Sequence, residues 1–382
     1  MTMQIKKDKL NKAFFLLSII IIVILAFLLL QKRFGLYFKK APFSLKLVRV
    51  IGVGYNLKGP AGVAFGKRNN IYVVDSGNSR IVKFNIRGRY IRQWGIEGKT
   101  TGEFMVPLYV TAYGNPERIY AVDSGNSRIE VFKPNGDFVS EFGISKNQNR
   151  ILIQPTCVAF SDGKIYVANS GADDISVYSK NGNFYESIGN SLIKSNEGNS
   201  LSSKIKGGEQ DGSASGSSGK STEKVKKNKK NSNSSNSSSK SAVKNLTISF
   251  KLKKPVSIAF SRKYIYVSDY SLSKILVFNR QFDYIGAIGI KGQYGHMLYH
   301  QVGIVYRNGY LYVANYGRSI LTVFKLSDGY NVVKAYNFGT PGIGNNNFNH
   351  ESNISVSLNG KYIAIADTNN NRISIYRILG SR

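Results

Sequence analysis

The sequence has few of the residues on which many enzyme sites depend. Its 382 residues include a single cysteine, Cys157, and only three histidines. One cysteine can neither form an intrachain disulfide nor supply the paired thiolates of a cysteine-ligated zinc site. The sequence also contains no phosphate-binding loop, nucleophile elbow or paired-acid motif. These absences argue against the active sites that a sequence most readily reveals, and they leave the redox compartment open.

Acidic residues are also scarce. Aspartate and glutamate together number 22, against 53 lysines and arginines, so the formal net charge at pH 7 is +31. An excess of this size attracts polyanions such as nucleic acid, acidic polymers or anionic lipid head groups. A solvated basic surface without a particular partner would have the same composition, so both interpretations stay open.

One long apolar run stands near the start of the chain. Residues 13–30 carry no charge, and their length falls within the ~17–25 residues of a transmembrane helix. No small-residue cleavage site follows them. The run therefore predicts an uncleaved single-pass anchor, between a basic tail at residues 1–12 and a linker at residues 31–43. Basic residues flank it almost equally, and we expect the domain that follows to lie outside the cytoplasm.

The rest of the chain repeats one pattern. Residues 71–84 read IYVVDSGNSRIVKF, in which alternating apolar residues surround a Ser-Gly-Asn turn, and this predicts an antiparallel hairpin. Related segments follow at residues 119–132, 165–178, 265–278, 311–324 and 363–376. Four short strands in each interval of roughly 40–50 residues are typical of a propeller blade. We therefore predict an all-β, six-bladed propeller over residues 44–380.

Two further features concern an insertion and the closure of the ring. Residues 190–244 consist mainly of Ser, Asn, Gly and Lys, which predicts a disordered loop. This loop is either an arm for a polyanion or a tolerated low-complexity expansion. The sixth repeat lacks an outer strand, and the segment KLVRVIG at residues 46–52 fits the missing pattern. An N-terminal strand that completes the last blade would close the ring.

The repeats resemble a known family. The segments GPAGVAF (residues 59–65) and GEFMVP (residues 102–107), together with the hairpin between them, are similar to NHL repeats. The resemblance extends over about residues 45–378 outside the insertion, and the fifth repeat departs most from the pattern. It implies a propeller that serves mainly as a binding platform, although some relatives are enzymes.

A set of Asp, Asn and Arg recurs around the hairpin turns. An Asp at a strand end can accept turn N–H groups, Asn tolerates left-handed backbone, and Arg can bridge to a carboxylate. Recurrence from blade to blade indicates a structural role rather than several active sites. The set comprises Asp75, Asn78 and Arg80; Asp123, Asn126 and Arg128; and Asp367, Asn370 and Arg372.

The resemblance also bears on catalysis. Peptidyl-amidoglycolate lyases share this repeat and bind zinc through histidines that follow the inner-strand proline or stand in the hairpin turn. Here no histidine occupies those positions, so we expect no such lyase activity and no cofactor. The positions after the proline are Ala61, Leu108, Thr156 and Val256, with Gln301 and Ser352 as their counterparts in the divergent repeats, and the positions in the turns are Ser79, Ser127, Asp173, Ser273, Ser319 and Asn371.

The three histidines lie in the links between blades. His296 and His300 precede the fifth blade, and His350 precedes the sixth. Imidazole is a common metal ligand, which makes these residues weak candidates for a metal site; the other interpretation is that they are exposed bystanders. A metal-dependent lyase or hydrolase outside the cytoplasm therefore remains the alternative function.

The hairpin turns and the links between blades share one rim of a propeller, here called the hairpin-turn rim. On blades four and five it gains tyrosines and cations, which suit stacking on bases or sugars and the binding of acidic peptides. We therefore predict a monomeric, non-catalytic binding platform for a protein or a polyanion, either an acidic polymer or nucleic acid. The predicted site comprises Tyr270, Lys274, Tyr294, Tyr299, Tyr316 and Arg318.

Overall fold

The computed structural model describes residues 43–144, 152–189, 251–289 and 298–380. The predicted anchor at residues 13–30 and the insertion at residues 190–244 lie outside this part of the chain, as do Tyr294 and His296. Among the described residues, no helix is long and apolar enough to cross a membrane.

Strands and single helical turns account for all the regular structure in the described ranges. The first strand is β1 (Ser44–Ile51). The others are β2 Pro60–Phe65, β3 Ile71–Asp75, β4 Arg80–Phe84, β5 Tyr90–Trp94, β6 Pro107–Tyr113, β7 Arg118–Asp123, β8 Arg128–Phe132, β9 Phe138–Phe142, β10 Pro155–Ser161, β11 Lys164–Asn169, β12 Asp174–Ser179, β13 Phe184–Ile188, β14 Pro255–Phe260, β15 Tyr264–Asp269, β16 Lys274–Asn279, β17 Tyr284–Ile288, β18 Ile304–Arg307, β19 Tyr310–Asn315, β20 Ile320–Ser327, β21 Asn331–Phe338, β22 Thr340–Pro341, β23 Asn347–Phe348, β24 Glu351–Val356, β25 Tyr362–Asp367 and β26 Arg372–Leu379. Single 3₁₀ turns lie at Lys67–Asn69, Ser76–Asn78, Ser170–Ala172, Tyr316–Arg318 and Thr368–Asn370.

The strands form six antiparallel sheets of four strands each. Five sheets follow chain order from the inner to the outer strand, and the sixth has the order β1-β26-β25-β24. In that sheet Ser44 lies opposite Leu379 and Ile51 opposite Ile373. The predictions of a six-bladed propeller and of its closure by the N-terminal strand are both confirmed.

The hydrophobic core lies between neighbouring blades. One cluster joins Val63, Ile71 and Val73 of the first blade to Ala364 and Ile375 of the sixth. Sheets packed face to face exclude water from both surfaces of the middle strands. This is why β3 is buried along its whole length and reads as a nearly continuous apolar run.

A β-bulge interrupts the outer strand of every blade, a feature that the sequence pattern did not indicate. In β5, for example, Tyr90 pairs with Phe84 and Arg92 with Lys83, which leaves Ile91 without an opposite residue. A bulge bends and twists a strand, so it hinders edge-to-edge pairing with another chain. The unpaired residues are apolar and exposed, and they are Val48, Ile91, Val139, Tyr185, Ile285 and Val333.

The direction of β1 fixes where the chain joins the propeller. The strand β26 begins at Arg372, directly after the last hairpin turn, and runs away from the hairpin-turn rim. Because β1 is antiparallel to it, Ile51 lies at the hairpin-turn rim and Ser44 at the opposite rim. The segment before residue 44 therefore joins the domain from the opposite rim.

Deleting residues 44–52 should destabilise the whole domain, because β26 would lose its partner and the Ile51 side chain its buried site. Burying one large aliphatic side chain contributes about 1.5–3 kcal/mol, and each lost kcal/mol lowers the melting midpoint of a large domain by ~2–4 °C. We expect a lower midpoint and aggregation, measured by differential scanning fluorimetry and light scattering. Val48→Ser is the control, since this bulge residue is exposed and its loss should have little effect. An unchanged midpoint after the deletion would contradict ring closure.

Candidate binding surface on the hairpin-turn rim

Each hairpin turn is attached to the link that precedes its blade. In the first blade, the fully buried carboxylate of Asp75 accepts hydrogen bonds from Lys58 N at 2.7 Å, Asn78 Nδ2 at 2.8 Å and Arg80 Nε at 2.7 Å. Ser79 ends the turn in the left-handed region, at φ 49°. The carboxylate thereby holds the turn, the link and the next strand together.

The second blade repeats this arrangement. The Asp123 carboxylate accepts from Asn126 Nδ2 at 2.6 Å and from Arg128 Nε at 3.2 Å. Arg128 also donates to the carbonyl oxygens of Thr100 and Glu103 in the link. The guanidinium thus bridges the turn and the link from within the rim.

The sixth blade has the same contacts. Asp367 accepts from Asn370 at 2.9 Å and from Arg372 at 2.8 Å, and Arg372 donates to the carbonyls of Gly344 and Asn347. The carboxylates of Asp75, Asp123 and Asp367 are all buried and hydrogen-bonded, an arrangement suited to holding backbone in place rather than to proton transfer.

Blades three to five keep the attachment to the link but lose the arginine. The link N–H groups of Ile153, Lys253 and Tyr299 donate to Asn169 at 2.6 Å, Asp269 at 2.8 Å and Asn315 at 2.9 Å, respectively. The backbone frame of the rim therefore persists while its surface side chains change.

Aromatic pairs occupy the turn–link contact at two neighbouring blades. Tyr270 stacks on His300 with ring centroids 4.4 Å apart and planes 13° apart, and Tyr299 stacks on the same imidazole at 4.2 Å and 24°. One blade further on, Tyr316 lies 4.6 Å from His350. The first turn residue is small in the other four blades, namely Ser76, Ser124, Ser170 and Thr368.

Cations flank these rings. Lys254 Nζ lies 5.1 Å from the centroid of the Tyr270 ring, and Arg318 is exposed in the next turn. Burial raises the pKa of Tyr270, and the phenols of Tyr316 and Tyr299 add to the rise. We call Lys254, Tyr270, Tyr299, His300, Tyr316 and His350 the aromatic patch.

Three of the predicted residues lie together in the structure: Tyr270 and Tyr299 both stack on His300, and the Gly317 N–H, next to Tyr316, donates to the Tyr299 carbonyl at 3.0 Å. Lys274 takes part through its main-chain carbonyl, which accepts from Gln301 Nε2 at 2.7 Å. The sequence analysis missed Lys254. Aligning the links could have found it, because it is the last link residue of its blade and so corresponds to His300 and His350.

A cavity of about 160 Å³ lies on the propeller axis, because its lining comes from all six blades. A second β-bulge turns its lining residues inward: Pro60 lies opposite Asp75 and Gly62 opposite Val74, which leaves Ala61 unpaired. The same register shift occurs in the second, third, fourth and sixth blades. The lining residues are Ala61, Leu108, Tyr109, Thr156, Val256, Ser257, Val302, Gly303, Ser352 and Asn353.

The sequence analysis placed Gln301 at the position that follows the inner-strand proline in other blades, and this alignment was wrong. The pairing of Ile304 with Val313 places Val302 at the axis and Gln301 where other blades have proline. Gln301 is fully buried, and its Nε2 donates to the carbonyls of Asp269 at 3.0 Å and Lys274 at 2.7 Å. The fifth blade lacks the proline, so its sequence alone gave no anchor for the alignment.

Histidines do not converge in the described part of the chain. Within those ranges, no three residues among His, Cys, Asp and Glu form a group that could hold a metal ion. The His300 ring lies between two tyrosine rings, and His350 Nδ1 is 3.0 Å from Asn349 Oδ1 and 2.9 Å from Asn369 Nδ2. His296 lies outside the described residues.

Comparison with known proteins agrees with the repeat pattern. The model of the NHL repeat matches residues 57–84. The resemblance predicted from the sequence is thereby confirmed, and no curated protein matches the chain.

Solved structures share the propeller fold. A streptogramin B lyase superposes with a TM-score of 0.52 at 11% identity, over 88% of this chain and 98% of the lyase. The hydrazine synthase of Kuenenia stuttgartiensis gives 0.51 at 10% identity, over 84% of this chain and 96% of that one. At such identities the likeness concerns the fold alone.

The last repeat contains a buried carboxyl group beside the aromatic patch. Glu351 follows His350 and lies opposite Asp367, at the position where the first blade has Pro60 opposite Asp75. It is fully buried, and neither carboxyl oxygen has a hydrogen-bond partner among the described residues. Burial raises the pKa of Glu351 to about 8; the Asp367 carboxylate adds to the rise, whereas nearby backbone N–H groups oppose it. Glu351 is therefore protonated at neutral pH.

This carboxyl should make the stability of the domain depend on pH. The folded-state pKa is about 8 and the ordinary value 4.5, so ionisation favours the unfolded state as pH rises between these values. We expect wild-type stability to fall from pH 5 to pH 8 by ~1 kcal/mol per pH unit. Glu351→Gln should remove most of this slope, because Gln301 shows that an amide fits the same position. Chemical denaturation at several pH values measures the effect.

The matched control is Gln301→Glu, which places the same acid at the equivalent position of the fifth blade. It should lose the two hydrogen bonds to Asp269 and Lys274 and acquire a steeper decline in stability with pH. Parallel pH profiles for the wild type and Glu351→Gln would show that Glu351 does not titrate as described.

Proposed function

We propose that this protein is a membrane-anchored, non-catalytic propeller that binds a protein or polyanionic partner through its hairpin-turn rim. The observation that supports this best is a tyrosine–histidine ring contact at each of two adjacent blades: Tyr270 stacks on His300, and Tyr316 lies against His350 in a tilted arrangement. Equivalent turns elsewhere on the rim begin with small residues. Among the described turns, an aromatic first residue occurs at these two adjacent blades only, which favours a localised site over a general property of the fold.

The chemistry of the sector supports an anionic partner. Aromatic faces next to Lys254 and Arg318 can stack on planar groups while the cations neutralise negative charge. The net charge of +31 adds long-range attraction. Such binding should weaken as salt rises, because salt screens charges and bound counterions are released on association.

The path of the chain supports an accessible rim. The segment that precedes Ser44 joins the domain at the opposite rim, and only the linker at residues 31–43 separates it from the predicted anchor. We infer that the opposite rim faces the bilayer and the hairpin-turn rim faces away from it, outside the cytoplasm, on a monomeric propeller. A partner could then reach the aromatic patch without crossing the membrane surface.

Replacing Tyr270, Tyr316 and Arg318 with Ala should weaken binding by about tenfold or more, which corresponds to ~1.4 kcal/mol or more. Immobilised heparin and a single-stranded oligonucleotide serve as polyanion probes at two salt concentrations. The matched control replaces Tyr90, Tyr185 and Arg68 with Ala. These three residues are exposed and lie away from this rim. If the Tyr270/Tyr316/Arg318 variant still bound these probes as strongly and with the same salt dependence, the binding site would not lie on the aromatic patch.

The alternative, a metal-dependent lyase or hydrolase at His296 and His300, makes a different prediction. We expect purified full-length protein to contain no stoichiometric zinc or calcium by elemental analysis, and His296→Ala/His300→Ala to leave the metal content unchanged. Stoichiometric metal that disappears in the double variant would favour the enzyme and contradict our proposal.

A further inference from the structure

The axial cavity differs chemically from the aromatic patch. The lining contains no acidic or basic residue. Five of its residues have no polar side-chain group, namely Ala61, Leu108, Val256, Val302 and Gly303. Its volume is about 160 Å³, similar to the ~150 Å³ of an apolar cavity that holds benzene. The space therefore suits one aromatic or branched aliphatic side chain.

The hydroxyl groups of the lining already have partners within the protein. Ser352 Oγ donates to the Ala61 carbonyl at 2.8 Å, and Thr156 Oγ1 pairs with Ser170 Oγ at 2.9 Å. Ser257 Oγ accepts from the Ile304 N–H at 3.2 Å. A polar group placed here would lose hydrogen bonds to water and find few new ones, which is costly. The cavity thus selects an apolar occupant.

Several exposed aliphatic residues lie on the hairpin-turn rim, around the axial cavity. Val53 is 80% exposed, Ile96 65% and Ile343 81%, and each stands in a link between blades. Val106 is exposed in the same link as Ile96, and Ile144 and Ile153 are exposed in the next link. These side chains could add apolar contacts around a segment whose apolar side chain enters the cavity.

Basic residues outnumber acidic ones around this surface. The described links and turns carry Lys58, Lys99, Lys251, Lys253, Lys254 and Arg318 against Glu97, Glu103 and Asp173. All six cations are exposed. The rim therefore complements a segment that carries carboxylates next to an apolar residue.

We propose that the axial cavity is a binding site for an acidic protein segment, which inserts one aromatic or branched aliphatic side chain while its carboxylates meet the rim cations. This inference rests on the proposed binding function and narrows the partner to a protein. A nucleic acid or acidic polysaccharide has no comparable apolar group, and its polar rings would be left unpaired in the cavity.

The test is peptide selection on the full-length protein in phosphatidylcholine nanodiscs, with a random linear peptide library as the probe. We expect a consensus with one Phe, Trp, Leu, Ile or Met flanked by Asp or Glu. A synthetic consensus peptide should bind Ala61→Phe, which fills the cavity, about tenfold or more weakly by fluorescence anisotropy. Ser140→Phe, which adds the same ring to the outer strand β9, is the matched control and should bind normally.

A second variant covers the case in which Ala61→Phe fails to fold. Val302→Thr keeps the side-chain shape and adds a hydroxyl, so it should weaken peptide binding several-fold while leaving the melting midpoint nearly unchanged. Replacing the apolar peptide residue with Ala should weaken binding to the wild type but add little further loss in Val302→Thr, since the two changes remove one contact.

Parallel heparin binding separates this inference from the proposed function. Retained heparin binding with loss of the peptide in Ala61→Phe or Val302→Thr supports the cavity site. Enriched peptides that are acidic but have no apolar residue, or equal peptide affinity in the cavity variants, overturn it and leave the polyanion function standing. Absence of both peptide and heparin binding in the wild type overturns both.

Discussion

The pairing of β1 with β26 is the interaction on which the rest of the structure depends. A blade of four strands cannot bury both of its faces alone, and each face becomes core only when a neighbouring blade covers it. The first and sixth blades meet only if the ring closes, and β1 completes the sixth blade from the other end of the chain. Closure also defines the cavity, because all six blades contribute to its wall.

After the ring has closed, the outer strand of each of the six blades still has one unpaired edge. All six edges carry the same protective feature, a β-bulge. Each outer strand contains a bulge at the same position, where an apolar side chain projects into solvent. The bulge disturbs the row of free backbone groups that another strand would need. The propeller can thus expose β-branched residues on its wall without presenting a regular edge for strand addition.

On the hairpin-turn rim, the residues that hold the backbone in place differ from those that form the exposed surface. Side chains such as Asp75, Asn169 and Asp269 accept hydrogen bonds from link N–H groups and fix the backbone, so the outward residues of the turns can vary. Blades four and five use this freedom to place Tyr270 and Tyr316 against histidines. An apolar cavity at the axis and aromatic residues at one sector together favour a partner with both apolar and acidic groups.

The sequence alone determined the number of blades, the strands, the closing strand and the tyrosine sector, because hairpin alternation and turn residues are local signals that repetition strengthens. Tertiary structure decided the features that depend on packing between distant segments: both sets of bulges, the place of Gln301, the contact of Lys254 with Tyr270, and the burial of Glu351. From the sequence alone, a charged residue in or next to a link between blades is expected to be exposed to solvent. In the folded protein, the neighbouring blade covers Glu351 but leaves Lys254 exposed to water. This difference in burial depends on the packing of the blades.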